Sequence, residues 1–358
     1  MAIKSHQLRH SRAPAEDRVR RPTVADLAAA SGVSVATVDR VLNRRLPVRE
    51  ATAQRVLEAA ESLGYHAAPL LRSRVEERRK SLRAGFLLQK ETSAFYQNFA
   101  AELVRAAEAR AGQKPRIEYV GDLDPRPITE RMRAMAPTVD ALAIVSVDHP
   151  HVSEEVRLLR AHGLPTFTLL SDLSAPERAG YVGLDPRKAG RTAAWAITRM
   201  ARRPGKVAIF VGSHRYFDHD TREISLRSYL REHAPDFTLL EPLVDLEQPA
   251  VAYEVALTLF RRHPDLVGIY STGLGTDGII QALRETGNAP DLVFVCNELT
   301  SVTRAGLIDS IVDMVIGTPI GPIADRVVEA MIGCVREPGR FAAAQMILPF
   351  DIYGPENI

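Results

Sequence analysis

Residues 23–42 contain two short helix patterns on either side of a glycine, and this arrangement constrains the N-terminal fold more than any other feature. Thr23 and Asp26 have the spacing of a capping box, in which each side chain accepts a hydrogen bond from the backbone of the other residue. Gly32 can adopt the left-handed conformation that ends a helix, and Ser34 can cap the start of the next one. The pattern predicts two helices joined by a tight turn, which is a helix-turn-helix.

A third helix pattern over residues 50–63 supplies the rest of a small core. Its inward-facing apolar residues are Val56, Leu57, Ala60 and Leu63, and Gly64 ends it. In a DNA-binding domain of this kind the second helix lies in the major groove, with its N-terminal residues toward the base edges. Hydroxyl, amide and guanidinium groups around that helix hold the phosphates. The alternative is an ordinary three-helix bundle.

Charge also separates the two ends of the chain. The formal net charge is only +2, but residues 1–82 carry an excess of Lys and Arg, whereas residues 83–358 carry more Asp and Glu than Lys and Arg. A basic segment attached to an acidic body is typical of a module that binds a polyanion, carried by a domain that binds something else. A solvated basic tail would give the same balance.

The N-terminal string strongly resembles the DNA-binding domain of the LacI/GalR family. The matching motifs are Thr23-Val24-Ala25-Asp26-Leu27-Ala28, Gly32-Val33-Ser34-Val35-Ala36-Thr37-Val38, Arg40-Val41-Leu42-Asn43 and Leu63-Gly64-Tyr65. The resemblance is ungapped over more than 40 residues. It implies a sequence-specific regulator of transcription, a repressor, that binds double-stranded operator DNA as a homodimer.

The resemblance also implies roles for single residues. Val35, Ala36 and Arg40 occupy base-reading positions, and the Arg40 guanidinium can give two hydrogen bonds to guanine. The other DNA-contacting positions are Thr23, Ser34, Thr37, Asn43 and Thr52.

The linker after Tyr65 departs from the family pattern. Members of the family wedge a leucine from a short hinge helix into the minor groove, but here Arg74 stands where that leucine would lie. Leu70 or Leu71 could replace the wedge, or Arg74 could enter a narrow minor groove. A plain charged linker is equally compatible with the sequence.

From Arg83 onward short apolar runs alternate with helical segments, which predicts buried parallel strands joined by helices. The predicted strands lie within residues 84–88, 116–120, 141–145, 166–170, 181–184, 207–211, 238–243, 267–271, 293–296, 312–316 and 346–353. Two successive series of this kind predict a two-lobed α/β domain with two doubly wound parallel sheets and a cleft between them. The region resembles the type I periplasmic-binding-protein fold, through Tyr181-Val182-Gly183-Leu184-Asp185 and Phe294-Val295-Cys296-Asn297-Glu298.

These observations divide the chain into four parts. They are a basic N-terminal extension (residues 1–21), an all-α DNA-binding domain (22–66), a hinge or linker (67–82) and a two-lobed effector domain (83–358).

Ligands of doubly wound folds bind beyond the carboxyl ends of the strands, so residues directly after strands are the candidates for effector binding. Arg222 resembles the family's effector arginine and could bind vicinal hydroxyls or a carboxylate, although a solvated helix arginine is possible.

Phe95 and Tyr96 could stack on a sugar ring or belong to the core. The carboxylates with the same placement are Asp148, Asp185 and Glu298, which could accept hydrogen bonds from hydroxyls or cap the strand ends. The implied effector is a sugar, a polyol or a related small molecule.

Several other classes of protein fit the sequence poorly. Gly273-x-Gly275-x-x-Gly278 matches a dinucleotide fingerprint only superficially, because it falls late in the chain. The histidines lack metal-ligand spacing, and the two cysteines lie in apolar runs, so we expect no metal, no cofactor and a reducing cytoplasm. No apolar run is long enough for a membrane span. A solute-binding protein or an enzyme domain fused to a DNA-binding head remains the alternative.

Overall fold

The computed structural model describes residues 22–43, 48, 50–72, 81–121, 123–287, 292–337 and 344–358. The chain divides into two compact units, Met1–Arg79 and Lys80–Ile358. The predicted basic extension at residues 1–21 and Arg74 lie outside the described residues.

The first unit is all-α. Its helices are α1 (Val24–Ser31), α2 (Val35–Asn43), α3 (Glu50–Ser62) and a short helical segment, α4 (residues 68–72). The capping box at the start of α1 is formed: the Thr23 backbone N–H donates to Asp26, and the Asp26 backbone N–H donates to the Thr23 hydroxyl. Gly32 ends α1 with φ 67°. The predicted helix-turn-helix and its third helix are therefore present.

The helices of this unit bury one apolar core, and α4 contributes to it. Leu71 is 1% exposed and packs with Leu27, Val38 and Val56, whereas Leu70 is 53% exposed. The expectation that Leu71 could act as a minor-groove wedge needs correction, because removing it from this core would expose a fully buried side chain. Leu70 is the leucine of the pair that remains accessible.

The second unit contains two sheets, each covered by helices on both faces. The first lobe consists of β1 (Ala84–Gln89), α5 (Ala94–Ala111), β2 (Arg116–Val120), α6 (Pro125–Met135), β3 (Ala141–Ile144), α7 (Pro150–Ala161), β4 (Thr166–Leu169) and β5 (Gly180–Gly183), with a 3₁₀ turn at Ala136–Thr138. The second lobe consists of α8 (Pro186–Met200), β6 (Lys206–Val211), α9 (Phe217–His233), β7 (Thr238–Leu239), β8 (Leu243–Val244), α10 (Pro249–Arg262), β9 (Leu266–Ser271), α11 (Thr276–Thr286), β10 (Val293–Asn297), α12 (Ser301–Ile308) and β11 (Met314–Gly317). The chain ends with α13 (Ile320–Arg336), β12 (Ala344–Ile347) and β13 (Asp351–Tyr353).

The last three elements tie the lobes together. The strand order is β12-β5-β4-β3-β1-β2 in the first sheet and β13-β11-β10-β9-β6-β7 in the second, where β8 also pairs with β6. Helix α13 packs against α5, so the chain returns to the first lobe after β11 and crosses again to place β13 beside β11. The chain therefore passes between the lobes three times.

The predicted fold class is confirmed, with two differences in detail. The run at residues 238–243 forms two short strands rather than one, and the run at 346–353 divides between β12 of the first sheet and β13 of the second. Pairing is parallel throughout except between β11 and β13. The core side chains lie above and below each sheet, as expected for strands buried on both faces. Among the described residues, no helix is both long and apolar enough to cross a membrane.

Helices α8 and α9 pack closely at a glycine, and this contact positions a residue of the cleft. A Cβ atom added at Gly190 would lie 2.2 Å from the backbone oxygen of Arg222. Because backbone cannot yield as a flexible side chain can, we expect Gly190→Ala to lower the free energy of unfolding by about 1–3 kcal/mol. Urea denaturation of the two proteins measures this difference.

Gly321→Ala is the matched control, since it also adds a methyl group to a helix. The added atom would meet only the end of the Glu102 side chain, at 3.3 Å. Alanine favours helix by up to about 1 kcal/mol over glycine, so this variant should lose no stability. Equal effects of the two substitutions would contradict the close packing of α8 on α9.

Candidate functional site

A cavity of about 750 Å³ lies between the two lobes of the second unit. It is lined by loops that follow β1 in the first lobe and β8, β9 and β10 in the second. A smaller cavity of about 60 Å³ lies beside it and shares Phe95, Glu247, Gly273, Leu274 and Glu298 with it. We call these the outer and the inner cavity. Both occur at the carboxyl ends of parallel strands, where doubly wound folds bind their ligands.

Arg222 lies on α9 and lines the inner cavity, as the sequence predicted for an effector residue. Its side chain is 5% exposed, and Nη1 donates a hydrogen bond of 2.9 Å to the carbonyl of Thr272. Within the described part of the chain, its Nε has no hydrogen-bond partner. A buried donor without a partner costs free energy, so a ligand acceptor at this position would stabilise the site.

Asp218 lies one helical turn before Arg222 and joins the lobes. Its carboxylate accepts hydrogen bonds from the Tyr181 hydroxyl at 3.0 Å and from the Asp172 backbone N–H at 3.3 Å, both in the first lobe. Burial raises the pKa of Asp218 to about 7, although the nearby positive charge of Arg222 opposes this. Sequence reasoning missed Asp218 as an effector residue. The available signal was its spacing of four residues before Arg222, which places both on one face of a helix.

Lys90 makes a second contact across the cleft. Its ammonium group donates hydrogen bonds to the carbonyls of Leu246 at 3.1 Å and Glu247 at 2.5 Å. All three of these residues have positive φ, with values of 39° for Lys90, 52° for Leu246 and 58° for Glu247. Glu298, on the same cavity, also has positive φ, at 70°. Backbone strain of this kind persists where the surrounding contacts fix it, and it clusters at functional sites.

Glu298 lines both cavities, in agreement with its prediction as an effector residue. Its carboxylate accepts hydrogen bonds from the Thr318 hydroxyl at 2.7 Å and the Thr318 backbone N–H at 3.2 Å. Burial raises its pKa, and the neighbouring charge of Glu247 contributes in the same direction.

The two predicted aromatic residues begin α5 at the floor of the cleft. Phe95 lines both cavities and Tyr96 lines the inner one, with their ring centroids 5.2 Å apart in an edge-on arrangement. Tyr216, which the sequence did not single out, also lines the inner cavity. Its side chain is 4% exposed, and its hydroxyl has no hydrogen-bond partner among the described residues.

Two of the predicted carboxylates lie outside both cavities. Asp148 accepts hydrogen bonds from the Ser174 backbone N–H at 3.0 Å and its hydroxyl at 2.6 Å. Asp185 is the N-cap of α8 and accepts from the Arg187 backbone N–H at 3.0 Å. Asp185 therefore caps a helix, and Asp148 caps the backbone of a segment 26 residues away, in line with the alternative that the sequence left open.

The glycine run at 273–278 serves close packing. Added Cβ atoms at Gly273 and Gly275 would lie 2.2 Å from Glu247 Oε1 and 2.1 Å from Asp245 Oδ2, and one at Gly278 would lie 1.9 Å from the backbone oxygen of Pro249. The glycines therefore let the loop before α10 approach α11, and a nucleotide fingerprint is not needed to explain them.

The histidines of this region do not form a metal centre among the described residues. His219 is buried, its Nδ1 accepts a hydrogen bond of 3.2 Å from the Gly212 backbone N–H, and burial holds its pKa well below the usual value. This imidazole is therefore neutral and lines the inner cavity.

The first unit presents the start of α2 to solvent. Ser34, Val35 and Ala36 are all exposed, and Ser34 caps the helix by accepting a hydrogen bond of 3.2 Å from the Thr37 backbone N–H. The Arg40 side chain folds back along α2, where Nε donates to the Ala36 carbonyl and Nη2 to the Thr37 hydroxyl, each at 3.2 Å. The remaining predicted contacts are exposed or half-buried: Thr23, Asn43 and Thr52.

An exposed helix-turn-helix on one unit and a cavity with polar lining between two lobes of the other define a helix-turn-helix protein with a periplasmic-binding-protein-like body. The chain belongs to the periplasmic binding protein domain family, whose model matches residues 84–336. Residues 23–68 match the model of the bacterial regulatory proteins of the lacI family.

Curated relatives carry names that agree with this assignment. An uncharacterized HTH-type transcriptional regulator in the aml 5′ region of Streptomyces limosus is 30% identical over 209 residues, which cover 57% of this chain and 56% of that protein. The HTH-type transcriptional regulator MalR of Streptomyces coelicolor is 30% identical over 171 residues, 46% of this chain and 47% of the relative. The chain therefore aligns with about half the length of these relatives.

Solved structures with the same fold are solute-binding proteins of ABC transporters. One from Burkholderia graminis, in complex with D-arabinose, has a TM-score of 0.70 at 18% identity and covers 78% of this chain and 97% of that one. Another from Agrobacterium vitis, with bound D-fucose, has a TM-score of 0.70 at 16% identity, covering 77% and 96%. At these identities the likeness shows the fold of the second unit.

The raised pKa of Asp218 predicts a pH dependence of stability. The unfolded chain loses this proton near the ordinary pKa of 3.8, whereas the folded protein keeps it until about pH 7. The folded state thus binds more protons between these values, so the contribution of Asp218 is fully present below about pH 4 and is lost as the pH rises through 7. Asp218→Asn lacks this contribution.

We compare the free energies of unfolding of Asp218→Asn and the wild type at each pH. The variant's value minus that of the wild type should increase by on the order of 2–4 kcal/mol between pH 4 and pH 7.5. Urea denaturation of both proteins across this range gives the difference, in which the titration of other groups cancels. Parallel curves would show that the carboxylate does not titrate in this window.

Proposed function

We propose that the protein is a sequence-specific DNA-binding transcription regulator, acting as a repressor, whose operator affinity is controlled by a small sugar-like or polyol effector bound between the two lobes. The observation that carries this proposal is the presence, in one chain, of a lacI-type helix-turn-helix and a cleft between two lobes that carries buried polar groups. The names of the curated relatives support a regulator rather than an enzyme.

The exposed start of α2 supports the DNA-binding half of the proposal. Val38 of this helix is fully buried in the core, whereas Val35 is 52% exposed at the N-terminal end of the same helix. An apolar contact with a thymine methyl group would use this side chain. Arg40 reaches the same face once it releases its contacts with Ala36 and Thr37. Thr23, Ser34, Thr37, Asn43 and Thr52 are the proposed backbone contacts.

The two cavities support the effector half. The outer cavity has the size of a site for a small molecule, and polar groups converge on it from both lobes. Arg222 Nε and the Tyr216 hydroxyl are buried donors without partners among the described residues, which is the arrangement that a ligand with several hydroxyl groups would complete. The bound D-arabinose and D-fucose of the two similar structures support a sugar-like ligand.

Coupling of the two halves requires that ligand binding and DNA binding favour different arrangements of the same molecule. Because one helix-turn-helix reads a single half-site, we propose a homodimer whose two DNA-binding units read a palindromic operator in the cytoplasm. Leu70, which is exposed, is the proposed minor-groove contact of the hinge.

Arg40→Ala tests the base-reading role of α2. The operator is first identified by selection from randomised duplexes with the full chain. A bidentate contact from arginine to guanine discriminates by about 1–3 kcal/mol, so the variant should bind the selected operator about 5- to 150-fold more weakly and lose its preference at one base pair. Titration with the operator and with random duplex at fixed salt measures both effects.

Arg55→Ala on α3 is the charge-matched control. Arg55 is exposed and lies outside the proposed base-reading helix, so any loss should be the same for operator and random DNA. If Arg40→Ala also weakened both duplexes equally, Arg40 would contact phosphate and not a base.

A further inference from the structure

The described residues that line the two cavities carry more negative than positive side chains. The carboxylates are Glu91, Asp218, Glu247, Asp277 and Glu298, and the basic groups are Lys90 and Arg222. His219 adds no positive charge, because burial holds its pKa well below neutrality. The cleft is therefore acidic even after its own cations are counted.

Both cations are already matched by acidic neighbours. The charge of Arg222 stabilises ionised Asp218, which lies on the same helix. Lys90 lies beside Glu247 and Asp245, whose charges favour its protonated form, and its ammonium group donates to two backbone carbonyls. Glu298 is compensated by its hydrogen bonds from Thr318 and by the charge of Arg222, whereas burial is the cause that raises the pKa of Asp277.

Glu298 and Asp277 both line the outer cavity, and they follow the neighbouring parallel strands β10 and β9 of the second lobe. Both charges act on the thiol of Cys296 at the end of β10, where they add to the effect of burial in raising its pKa. Burial is also the first cause of the raised pKa of each carboxyl group. Two partly desolvated carboxylates at one wall of a cavity are costly when ionised, unless a positive charge joins them.

An independent observation indicates that a ligand completes this region. The Tyr216 hydroxyl and Arg222 Nε belong to side chains that are more than nine-tenths buried, line the inner cavity and lack hydrogen-bond partners among the described residues. These groups are donors suited to the oxygens of a small polar molecule. The acidic wall and the unpartnered donors lie at neighbouring cavities, because Glu298 lines both.

An organic ammonium group can supply positive charge at this wall. Within the described ranges, no set of three His, Cys, Asp or Glu side chains is placed to hold a metal ion. A phosphorylated or carboxylated sugar would add repulsion to the surplus of carboxylates. A neutral sugar would replace the water at Glu298 and Asp277 with hydrogen bonds from its hydroxyl groups, but it would bring no opposite charge.

We propose that the effector is a sugar- or polyol-sized molecule with a protonated amine, whose ammonium group faces Glu298 and Asp277 while its hydroxyl groups reach Tyr216 and Arg222. The proposal rests on the ligand-sensing function proposed above and names the chemical class of the ligand. An amine on such a ligand donates up to three hydrogen bonds, which two carboxylates can accept.

Binding to the purified full chain at pH 7 tests the ligand class. The probes are D-glucosamine, D-galactosamine, D-mannosamine and 1-amino-1-deoxy-D-glucitol, each compared with its neutral parent and with D-glucose 6-phosphate at equal ionic strength. We expect at least one amine to raise the melting temperature and to bind at least tenfold more tightly than its parent. The proposal is overturned if no amine binds, or if a neutral parent or the phosphate binds as tightly.

Substitutions at the acidic wall test the placement of the amine. Glu298→Gln keeps an acceptor for Thr318 but removes the charge, and we expect it to weaken amine binding at least tenfold with a smaller effect on the neutral parent. Asp277→Asn provides a second variant, which should act in the same direction. Asp185→Asn is the matched control outside the cavities, since asparagine caps a helix as well as aspartate and should leave binding unchanged.

Failure of this proposal and failure of the proposed function give different results. If the chain prefers a neutral ligand and still binds DNA sequence-specifically, the proposal of an amine ligand is wrong and the proposed regulatory function stands. If the chain binds an amine but selects no duplex sequence, the proposed regulatory function is wrong and the proposed ligand class stands. Unchanged amine binding in Glu298→Gln and Asp277→Asn would move the amine away from this wall and overturn the proposal as stated.

Discussion

The cleft depends on the hydrogen bonds that the Asp218 carboxylate accepts from the first lobe. Asp218 belongs to α9 of the second lobe. The groups that donate hydrogen bonds to its carboxylate, the Tyr181 hydroxyl and the Asp172 backbone N–H, belong to the first lobe. These bonds fix the start of α9 at the junction of the lobes, and Arg222 is therefore held at the wall of the inner cavity. The second lobe carries this buried carboxyl group, and it stays hydrogen-bonded only while the first lobe supplies its donors. Relative movement of the lobes must therefore change the environment of this group.

Strained backbone from both lobes and close packing in the second lobe surround the cleft, which makes its shape specific. Positive φ at Lys90, Glu247 and Glu298 places three charged side chains at the cavity, and the contact of Lys90 with two carbonyls across the cleft stabilises two of these conformations. The glycines at 273 and 275 are required by the position of Glu247 and its neighbour Asp245. Strain that is fixed by contacts between lobes can be released when the lobes move, so this set of residues is suited to a change of state on ligand binding.

The fold was predictable from the sequence because its signals are local, whereas the composition of the cleft was not. The capping box at Thr23, the left-handed Gly32 and the alternation of apolar strands with helices each specify structure within a few residues. Arg222 could be placed at the cleft by its resemblance to the family's effector arginine, and Phe95 and Glu298 by the rule that ligands bind beyond strand ends. The same rule failed to separate them from Asp148 and Asp185, because a carboxylate after a strand can equally cap a neighbouring backbone. Glu247 and Lys90 were missed because their importance arises from a contact between segments far apart in the chain.

The account rests on energetic coupling between the cleft and the DNA-binding helix, and one titration tests that coupling most directly. The dissociation constant of the full chain for its selected operator is measured without and with a saturating amount of the ligand that raises the melting temperature most, for the wild type and for Arg222→Ala. Allosteric coupling of about 1–3 kcal/mol predicts a 5- to 150-fold change in the wild type, and the same factor in the affinity for the ligand when operator is present. The variant should bind operator normally and show no change with ligand. An operator affinity of the wild type that stays the same with the cleft saturated would contradict the account.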